Sequence, residues 1–248
     1  MNTYGLIGYP LAHSFSARYF AEKFADENIA NCQYLNFPMK SIIEFPTLIS
    51  NTHDLRGLNV TIPYKEQVMQ YLNYIEATAK KIGAVNTIRI VRSDNNIELR
   101  GYNTDYYGFS ASLLLNIKPI HKKALILGTG GASKAVQFAL EEMGIACQFV
   151  SREPKTTRQL SYEDVNRKVI ESHLIIVNTT PLGTFPNTET FPQLQYEALT
   201  EKHILYDLVY NPPESKFLQL GKKYKAICIN GLKMLHLQAE KAWEIWNC

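Results

Sequence analysis

The sequence predicts an α/β protein made of two units, the first a mixed, mainly parallel sheet and the second a doubly wound one. Three observations carry this. Apolar strand-like runs alternate with helical stretches from the N-terminus, the order that generates parallel sheets. A hairpin pattern ending near residue 102 adds an antiparallel member to the first sheet. A fresh apolar strand at 124–127 then runs straight into a glycine-rich turn and a small-residue helix, which opens a second unit. The 248 residues suffice for two cores of ordinary size.

In order, Tyr4-Gly5-Leu6-Ile7-Gly8 is the first strand, followed by a turn at Tyr9-Pro10 and a hydroxyl-bearing loop. Ser16 suits the N-cap of a helix over 17–26, whose Tyr19, Phe20 and Phe24 share one face. Residues 34–37 make the second strand, 41–50 a helix and 57–62 the third strand. Pro63 lacks a donor and biases Ile62 toward extended geometry, so the strand stops there. Helical periodicity over 64–82 puts Lys65 in a first turn, where the helix dipole disfavours a cation. That mismatch fits a functional lysine or a solvated surface one. Residues 83–91 form a strand rich in branched side chains, Asp94-Asn95-Asn96 a turn, and 97–102 its hairpin partner. A helix over 106–115 ends before Pro119.

In the second unit, Ala124-Leu125-Ile126-Leu127 is a strand of the fully buried type. After Gly128-Thr129-Gly130-Gly131-Ala132-Ser133, the residues Ala132, Ala135, Val136, Ala139, Leu140 and Met143 recur at helical spacing, and Gly144 closes the helix. Strands follow at 147–150, 174–178, 204–206 and 226–229. Gly231 opens a last helix with Leu232, Leu235, Ala239, Ala242 and Trp246 on its apolar side.

Composition narrows the function classes. With 46% hydrophobic and 20% charged residues the chain is an ordinary globular protein, neither disordered nor fibrous. The formal charge of +3 is small, and the basic pairs Lys122-Lys123 and Lys222-Lys223 are short, so no nucleic-acid partner is expected. Cys32, Cys147, Cys228 and Cys248 are far apart without CxxC spacing, which suits a reduced cytoplasmic protein. Residues 1–12 lack the features of a signal peptide and no stretch approaches the roughly 18 apolar residues of a membrane span, so no membrane partner is expected.

Strand, glycine-rich turn and small-residue helix present backbone N–H groups to a pyrophosphate at a helix N-terminus. Gly128, Gly130 and Gly131 depart from a strict GxGxxG, because Ser133 holds the third glycine position, and a merely tight turn is the alternative. After the next strand, an NAD site would carry an acidic residue; this chain has Ser151 and Arg152, with Lys155 and Arg158 behind. A guanidinium there can bind a 2′-phosphate with paired hydrogen bonds, favouring NADP, whereas an ordinary basic loop is the plainer reading. In the first unit Ser14, Ser16, Thr61, Lys65, Asn86, Asn103 and Asp105 fall at strand ends on what should be one sheet edge, where open α/β sheets bind ligands. Hydroxyls and amides with one lysine and one aspartate suit a small polyhydroxylated acid. Each alone is also a common cap or turn residue.

These pieces together resemble the shikimate dehydrogenase family over nearly the whole chain. The motifs are Gly8-Tyr9-Pro10 with His13-Ser14-Phe15-Ser16, Asn59-Val60-Thr61-Ile62-Pro63-Tyr64-Lys65, Gly83-Ala84-Val85-Asn86-Thr87, Gly101-Tyr102-Asn103-Thr104-Asp105, Gly128-Thr129-Gly130-Gly131-Ala132-Ser133, Asn178-Thr179-Thr180-Pro181-Leu182-Gly183, Tyr206-Asp207-Leu208-Val209-Tyr210 and Gly231-Leu232-Lys233-Met234-Leu235 leading to Gln238. The resemblance implies a substrate-binding catalytic domain over 1–105, completed by the C-terminal helix 231–248, and a Rossmann-like NADP-binding domain over 106–230. It places the active site in the cleft between domains. The implied activity is reversible NADPH-dependent reduction of 3-dehydroshikimate to shikimate, in aromatic amino-acid biosynthesis, by a monomer or homodimer. Alternatives are a quinate/shikimate dehydrogenase with NAD or dual cofactor use, and a non-catalytic shikimate-binding regulator.

Carried over by motif, Lys65 and Asp105 are the catalytic pair. Ser14, Ser16, Thr61, Asn86, Tyr210 and Gln238 join them in contacting the substrate, with the serines and Tyr210 facing its carboxylate. Gly128, Thr129, Gly130, Gly131 and Ala132 hold the pyrophosphate, Ser151, Arg152 and Lys155 the 2′-phosphate, and Val209 and Gly231 the nicotinamide side. The chemistry needs a hydride carrier and a proton partner at the substrate oxygen, and no metal. The chain departs from the family at Ser151-Arg152-Glu153-Pro154-Lys155-Thr156, where many members have Asn-Arg-Thr and a second arginine. It departs again at Gly231-Leu232-Lys233, where Gly-Leu-Gly is common, and it stops soon after Trp246 without the extra helix of longer members.

Overall fold

The structure is a computed structural model and describes residues 1–11, 15–93, 96–157 and 159–248. The chain divides into two compact units, Met1–Thr104 with Ala239–Cys248, and Asp105–Gln238. The second unit therefore begins at Asp105 itself, and the C-terminal helix is divided after Gln238 instead of belonging whole to the first.

The first unit holds β1 (Asn2–Gly8), α1 (Phe15–Asp26), β2 (Cys32–Pro38), α2 (Phe45–Asn51), β3 (Leu55–Val60), β4 (Tyr74–Ile75), α3 (Ala77–Ile82), β5 (Thr87–Ser93) and β6 (Asn96–Tyr102). The sheet order is β2-β1-β3-β5-β6-β4. Strands β1, β2 and β3 are parallel, whereas β5 runs antiparallel to both β3 and β6. Leu58, Val60, Ile88 and Ile90 alternate onto the face covered by Phe45, Ile49 and Ala79. The opposite face receives Tyr4, Phe20, Phe24 and Trp246. Gly57 lies directly under Trp246: a Cβ there would stand 2.3 Å from the indole Cδ1. The indole N–H donates to the Ile88 carbonyl at 3.0 Å, so the C-terminal segment is both packed and hydrogen-bonded onto the sheet.

The second unit comprises α4 (Asp105–Leu113), β7 (Lys123–Leu127), α5 (Gly131–Glu142), β8 (Ala146–Val150), β9 (Gln159–Leu160), α6 (Arg167–Ser172), β10 (Ile175–Asn178), β11 (Ile204–Asp207), α7 (Lys216–Lys223), β12 (Ile227–Ile229) and the first half of α8 (Leu232–Trp246), up to the division at Gln238. All its strand pairs are parallel, in the order β12-β11-β10-β7-β8-β9. Counted from β7 this is the doubly wound arrangement 3-2-1-4-5-6 of dinucleotide-binding sheets. Ala124, Ile126 and Val177 face Val136 and Ala139 of α5, whereas Leu125, Leu127 and Ile176 face Ile170, Phe217 and Leu218. Burial on both faces accounts for the unbroken apolar runs in these strands.

Three local expectations change. The helix expected over 64–82 is a turn, a 3-10 helix at Gln67–Tyr71, the short strand β4 and only then α3. Sheet pairing overrides the helical periodicity: Asn73 N–H donates to the Leu99 carbonyl at 3.0 Å and Glu76 N–H to Gly101 at 2.9 Å. Helix α1 begins at Phe15, so Ser16 lies inside its first turn and is not the N-cap. At the other end of the chain, Leu232 is 40% exposed, and Met234 takes the buried position at the start of α8.

Candidate functional site

In the first unit, strand direction gathers the polar residues on one edge. Thr61 follows the carboxyl end of β3, and Asn86 precedes β5, whose Thr87 pairs with Asn59 of β3 and with Tyr102 of β6. Thr61 N–H donates to the Ile7 carbonyl at 2.9 Å, which anchors it beside β1. Its methyl reaches so close to Gly8 that a Cβ there would sit 2.3 Å away, which is why the turn after β1 needs a glycine.

Lys65 sits in the turn after Pro63, half-buried and pinned on either side. Tyr64 is buried in the core and its hydroxyl donates to the Met39 carbonyl at 2.6 Å. The Lys65 carbonyl accepts from Val85 N–H at 2.8 Å. A lysine on such a turn has a fixed backbone and a long stem, the combination needed to present an ammonium to a ligand at the sheet edge. The conflict with a helix dipole disappears, because no helix starts at this point.

Asn86 is 3% exposed and is held by several neighbours. Its Nδ2 donates to Thr104 Oγ1 at 3.1 Å, and its Oδ1 accepts from Thr104 N–H at 2.6 Å and from Thr87 Oγ1 at 3.1 Å. The amide thus fixes the residue immediately before Asp105. Ser16 lies in the first turn of α1 after β1, and the phenol of Tyr34 donates to Asn59 Oδ1 at 2.8 Å. Asn59 Nδ2 closes the chain toward the Asn86 carbonyl at 3.5 Å and Thr87 Oγ1 at 3.4 Å. Ser14 lies outside the described residues.

In the second unit Asp105 is buried at the start of α4. Helix α8 crosses α4 closely at Gly108, where a Cβ would meet the Met234 carbonyl at 2.5 Å and Gln238 N at 3.2 Å. Asp105 and Gln238 are therefore carried on helices in backbone contact, one turn from the point of closest approach.

The carboxyl edge of the second sheet carries the glycine-rich turn. Gly128 has φ +104°, a left-handed conformation that side chains other than glycine resist, and a Cβ would stand 2.8 Å from Thr179 Oγ1. Thr179 donates to the Leu127 carbonyl through both N–H (3.0 Å) and hydroxyl (2.6 Å), closing the gap between β7 and β10 where the strand order reverses. At Gly130 the space is open: no atom lies within 4 Å of where a Cβ would be. An N-terminal turn of a 12-residue helix with unobstructed backbone suits a phosphate-bearing ligand. Thr129 and Ala132 lie on the same turn and first helical residues. Ser151 and the exposed Arg152 and Lys155 follow β8. Part of the Ser151 hydroxyl's capacity is used locally, in a reciprocal bond with the Glu153 backbone (3.1 and 3.2 Å).

Two further loops on this edge are tied together by a residue that sequence reasoning quoted but gave no role. Asp207, fully buried, accepts from Asn178 Nδ2 at 2.9 Å, Val209 N–H at 3.0 Å and the Ser215 hydroxyl. Burial pushes its carboxyl up to about 6, against the lowering effect of those three donors. The Val209 carbonyl accepts from Gly231 N–H at 3.2 Å, and Gly231 is pressed so tightly on Leu208 that a Cβ would fall 2.2 Å from its carbonyl oxygen. Tyr210 follows, half-buried. The signal for Asp207 was its place at the end of an apolar strand, where an ionisable residue demands partners.

A parallel sheet in 3-2-1-4-5-6 order, with a left-handed glycine at its first turn and an open helix N-terminus, defines an α/β protein of the dinucleotide-binding dehydrogenase class. Comparisons with known proteins narrow this. A family model described as the shikimate dehydrogenase substrate binding domain matches residues 6–88. The shikimate dehydrogenase (NADP(+)) of Clostridium beijerinckii is 41% identical, the alignment covering 100% of this chain and 92% of the relative. Among solved structures, shikimate dehydrogenase 1 of Peptoclostridium difficile is 38% identical with a TM-score of 0.82, covering 100% of this chain and 92% of that one. Shikimate 5-dehydrogenase of Thermus thermophilus, in complex with NADP(H) and shikimate, is 29% identical with a TM-score of 0.85, covering 99% and 93%. The chain belongs to the shikimate dehydrogenase family.

Proposed function

We propose that this chain catalyses the reversible NADPH-dependent reduction of 3-dehydroshikimate to shikimate, with Lys65 and Asp105 serving the reacting oxygen. The observation that carries the reading is the gathering of Ser16, Thr61, Lys65 and Asn86 on one edge of the first sheet, in a chain related over its full length to enzymes named for that reaction.

In the reduction, NADPH when bound supplies the hydride to C3 of the substrate. The carbonyl oxygen then needs a proton, which the Lys65 ammonium donates, regaining one from solvent. In the reverse direction the lysine amine takes the hydroxyl proton as the hydride leaves. Asp105 accepts a hydrogen bond from a substrate hydroxyl and orients it. Ser14, Ser16 and Tyr210 donate to the substrate carboxylate, and Thr61, Asn86 and Gln238 contact the ring hydroxyls. Because Asn86 also spans Thr104, it couples substrate contact to the placement of Asp105. For the cofactor, the N–H groups from Gly128 to Ala132 receive the pyrophosphate, Arg152 with Ser151 and Lys155 the 2′-phosphate, and Val209 and Gly231 the nicotinamide amide through their backbones. The open space at Gly130 and the positive φ of Gly128 support that fit.

Among the described residues, no helix is long and apolar enough to cross a membrane, and the four cysteines are free; the proposed compartment is the cytoplasm. The active form is taken as a monomer or homodimer, which sedimentation distinguishes. The roles at the reacting oxygen are tested with Lys65→Ala and Asp105→Asn. Each should lower kcat by roughly 10²–10⁴-fold, the range for a positioned acid–base group, while shikimate still binds. A Lys65→Ala enzyme with unchanged kcat contradicts the assignment.

A further inference from the structure

We propose that Asp207 is a positioning residue for the nicotinamide: by drawing the Val209 N–H inward, it sets the backbone acceptors that hold the carboxamide. The inference rests on the assignment of Val209 and Gly231 given above, and it adds the side chain that fixes them.

In a doubly wound sheet each βαβαβ half takes one mononucleotide. The glycine-rich turn after β7 serves the first half, so the loops after β10 and β11 belong to the second, the nicotinamide side. Asp207 ends β11 with no exposed surface. Its Oδ1 accepts from Val209 N–H at 3.0 Å and from Asn178 Nδ2 at 2.9 Å, and its Oδ2 accepts from the Ser215 hydroxyl. Asn178 is equally buried and committed in turn, since its Oδ1 accepts from Thr180 N–H at 3.1 Å and from the Thr180 hydroxyl at 2.6 Å. Ser215 is itself fixed as the N-cap of α7. One carboxylate thus ties both loops to an anchored frame.

This frame decides the polarity of the loop. Val209 N–H is spent on Asp207, and Gly231 N–H is spent on the Val209 carbonyl at 3.2 Å. What this pair offers a ligand is carbonyl oxygen, which keeps a second lone pair after one hydrogen bond. A carboxamide presents an NH2 with two donors, the complementary group. Without the carboxylate the Val209 N–H has no inward partner and gains by turning outward, where it would set a donor against that NH2.

The probes are NADP, its 3-acetylpyridine analogue, in which a methyl replaces the carboxamide NH2, and 2′,5′-ADP, which carries only the adenosine half. The unaltered protein should bind NADP about fivefold more tightly than the analogue, the worth of roughly one hydrogen bond. Asp207→Ala should weaken NADP by about that factor and leave the analogue and 2′,5′-ADP within about twofold, abolishing the discrimination. Asp207→Asn keeps an acceptor for Val209 and should restore it. Ser215→Ala removes a partner of Asp207 and the α7 cap but leaves the Val209 bond, so it should lower the thermal midpoint and keep the discrimination. If the unaltered protein binds NADP and the analogue alike, the carboxamide assignment of Val209 and Gly231 falls and takes the inference with it. If the unaltered protein discriminates and Asp207→Ala does so equally, the inference about Asp207 falls alone. A parallel loss of 2′,5′-ADP binding also contradicts it, since a general loosening of the fold would do that. Should Asp207→Ala not fold, amide exchange in the unaltered protein decides: Val209 N–H should be strongly protected without cofactor, and exchange near the rate of an unstructured peptide overturns the inference.

Discussion

Asp207 has no exposed surface and holds three hydrogen bonds, yet burial still outweighs them and raises its carboxyl from an ordinary 3.8 to about 6. Folding therefore shifts the balance toward the protonated acid, although the carboxylate still predominates at neutral pH. With the native pKa above the unfolded one, the native state binds the extra proton between pH 4 and 6, and the associated stability is lost as pH rises through that window. The amount is on the order of 3 kcal/mol. His203 works the other way in this range, since burial lowers its pKa and its neutral form is favoured, but it is common to both proteins in a comparison of variants. Asp207→Asn keeps an oxygen for Val209 and Asn178 and offers an N–H that the Ser215 hydroxyl can accept. Its stability relative to the parent, from urea unfolding at each pH, should grow by about 2–3 kcal/mol from pH 4 to pH 7. A difference flat with pH contradicts this account. Asp207 also marks the limit of reading at this scale. Its motif stands in the sequence, but that its carboxylate ties together the loops at 178, 209 and 215 depends on burial, which no local pattern reveals. Lys65 was legible as an oddity for a reason that proved wrong, since no helix begins there, although its place after a strand end was right.

Among the elements, those with one dominant signal were the most legible. The apolar run at 124–127, the glycine-rich turn and the α5 face were all readable, because a strand buried on both faces and a helix buried on one leave distinct patterns. The segment over 64–82 was not. Val68, Ala79 and Ile82 are all buried, and their spacing mimics a helix, but Tyr74–Ile75 gains more by pairing with β6 than by continuing a helical turn. Strand β9 is too short to carry a pattern, whereas no element was expected at α7 although Phe217, Leu218 and Gly221 share its buried face. The contact of the C-terminal helix with the first sheet depends on Gly57, which sequence inspection gives no cause to single out. A Cβ at this position cannot be accommodated without moving Trp246, a large buried ring. Gly57→Ala should therefore destabilise the protein by roughly 1–3 kcal/mol, read as a lower denaturation midpoint. Trp246→Ala should cost about 3–5 kcal/mol, and the double variant should be less damaging than the sum, because the clash vanishes with the indole.

For the whole molecule, the two units place their candidate residues by the same rule. The candidate ligand groups collect at the carboxyl edge of each sheet, because that edge gathers loops from several strands at once. This rule makes the candidate site legible as a set of positions, while side-chain commitments such as those of Asn86 and Ser151 emerge only from the folded arrangement. Cofactor choice belongs to this scale too, since it joins the β8 loop to the family's reaction. Arg152→Ala should raise KM for NADP by about tenfold, the loss of a charge-assisted contact, and leave KM for NAD unaltered; equal changes for both cofactors would show that Arg152 does not read the 2′-phosphate. The most direct test of the account is a steady-state assay of the unaltered protein with shikimate and quinate, each with NADP and NAD. The prediction is that kcat/KM is highest for shikimate with NADP and at least tenfold lower in each of the other three combinations. Comparable efficiency with quinate or NAD, or no turnover with shikimate and NADP, would contradict it.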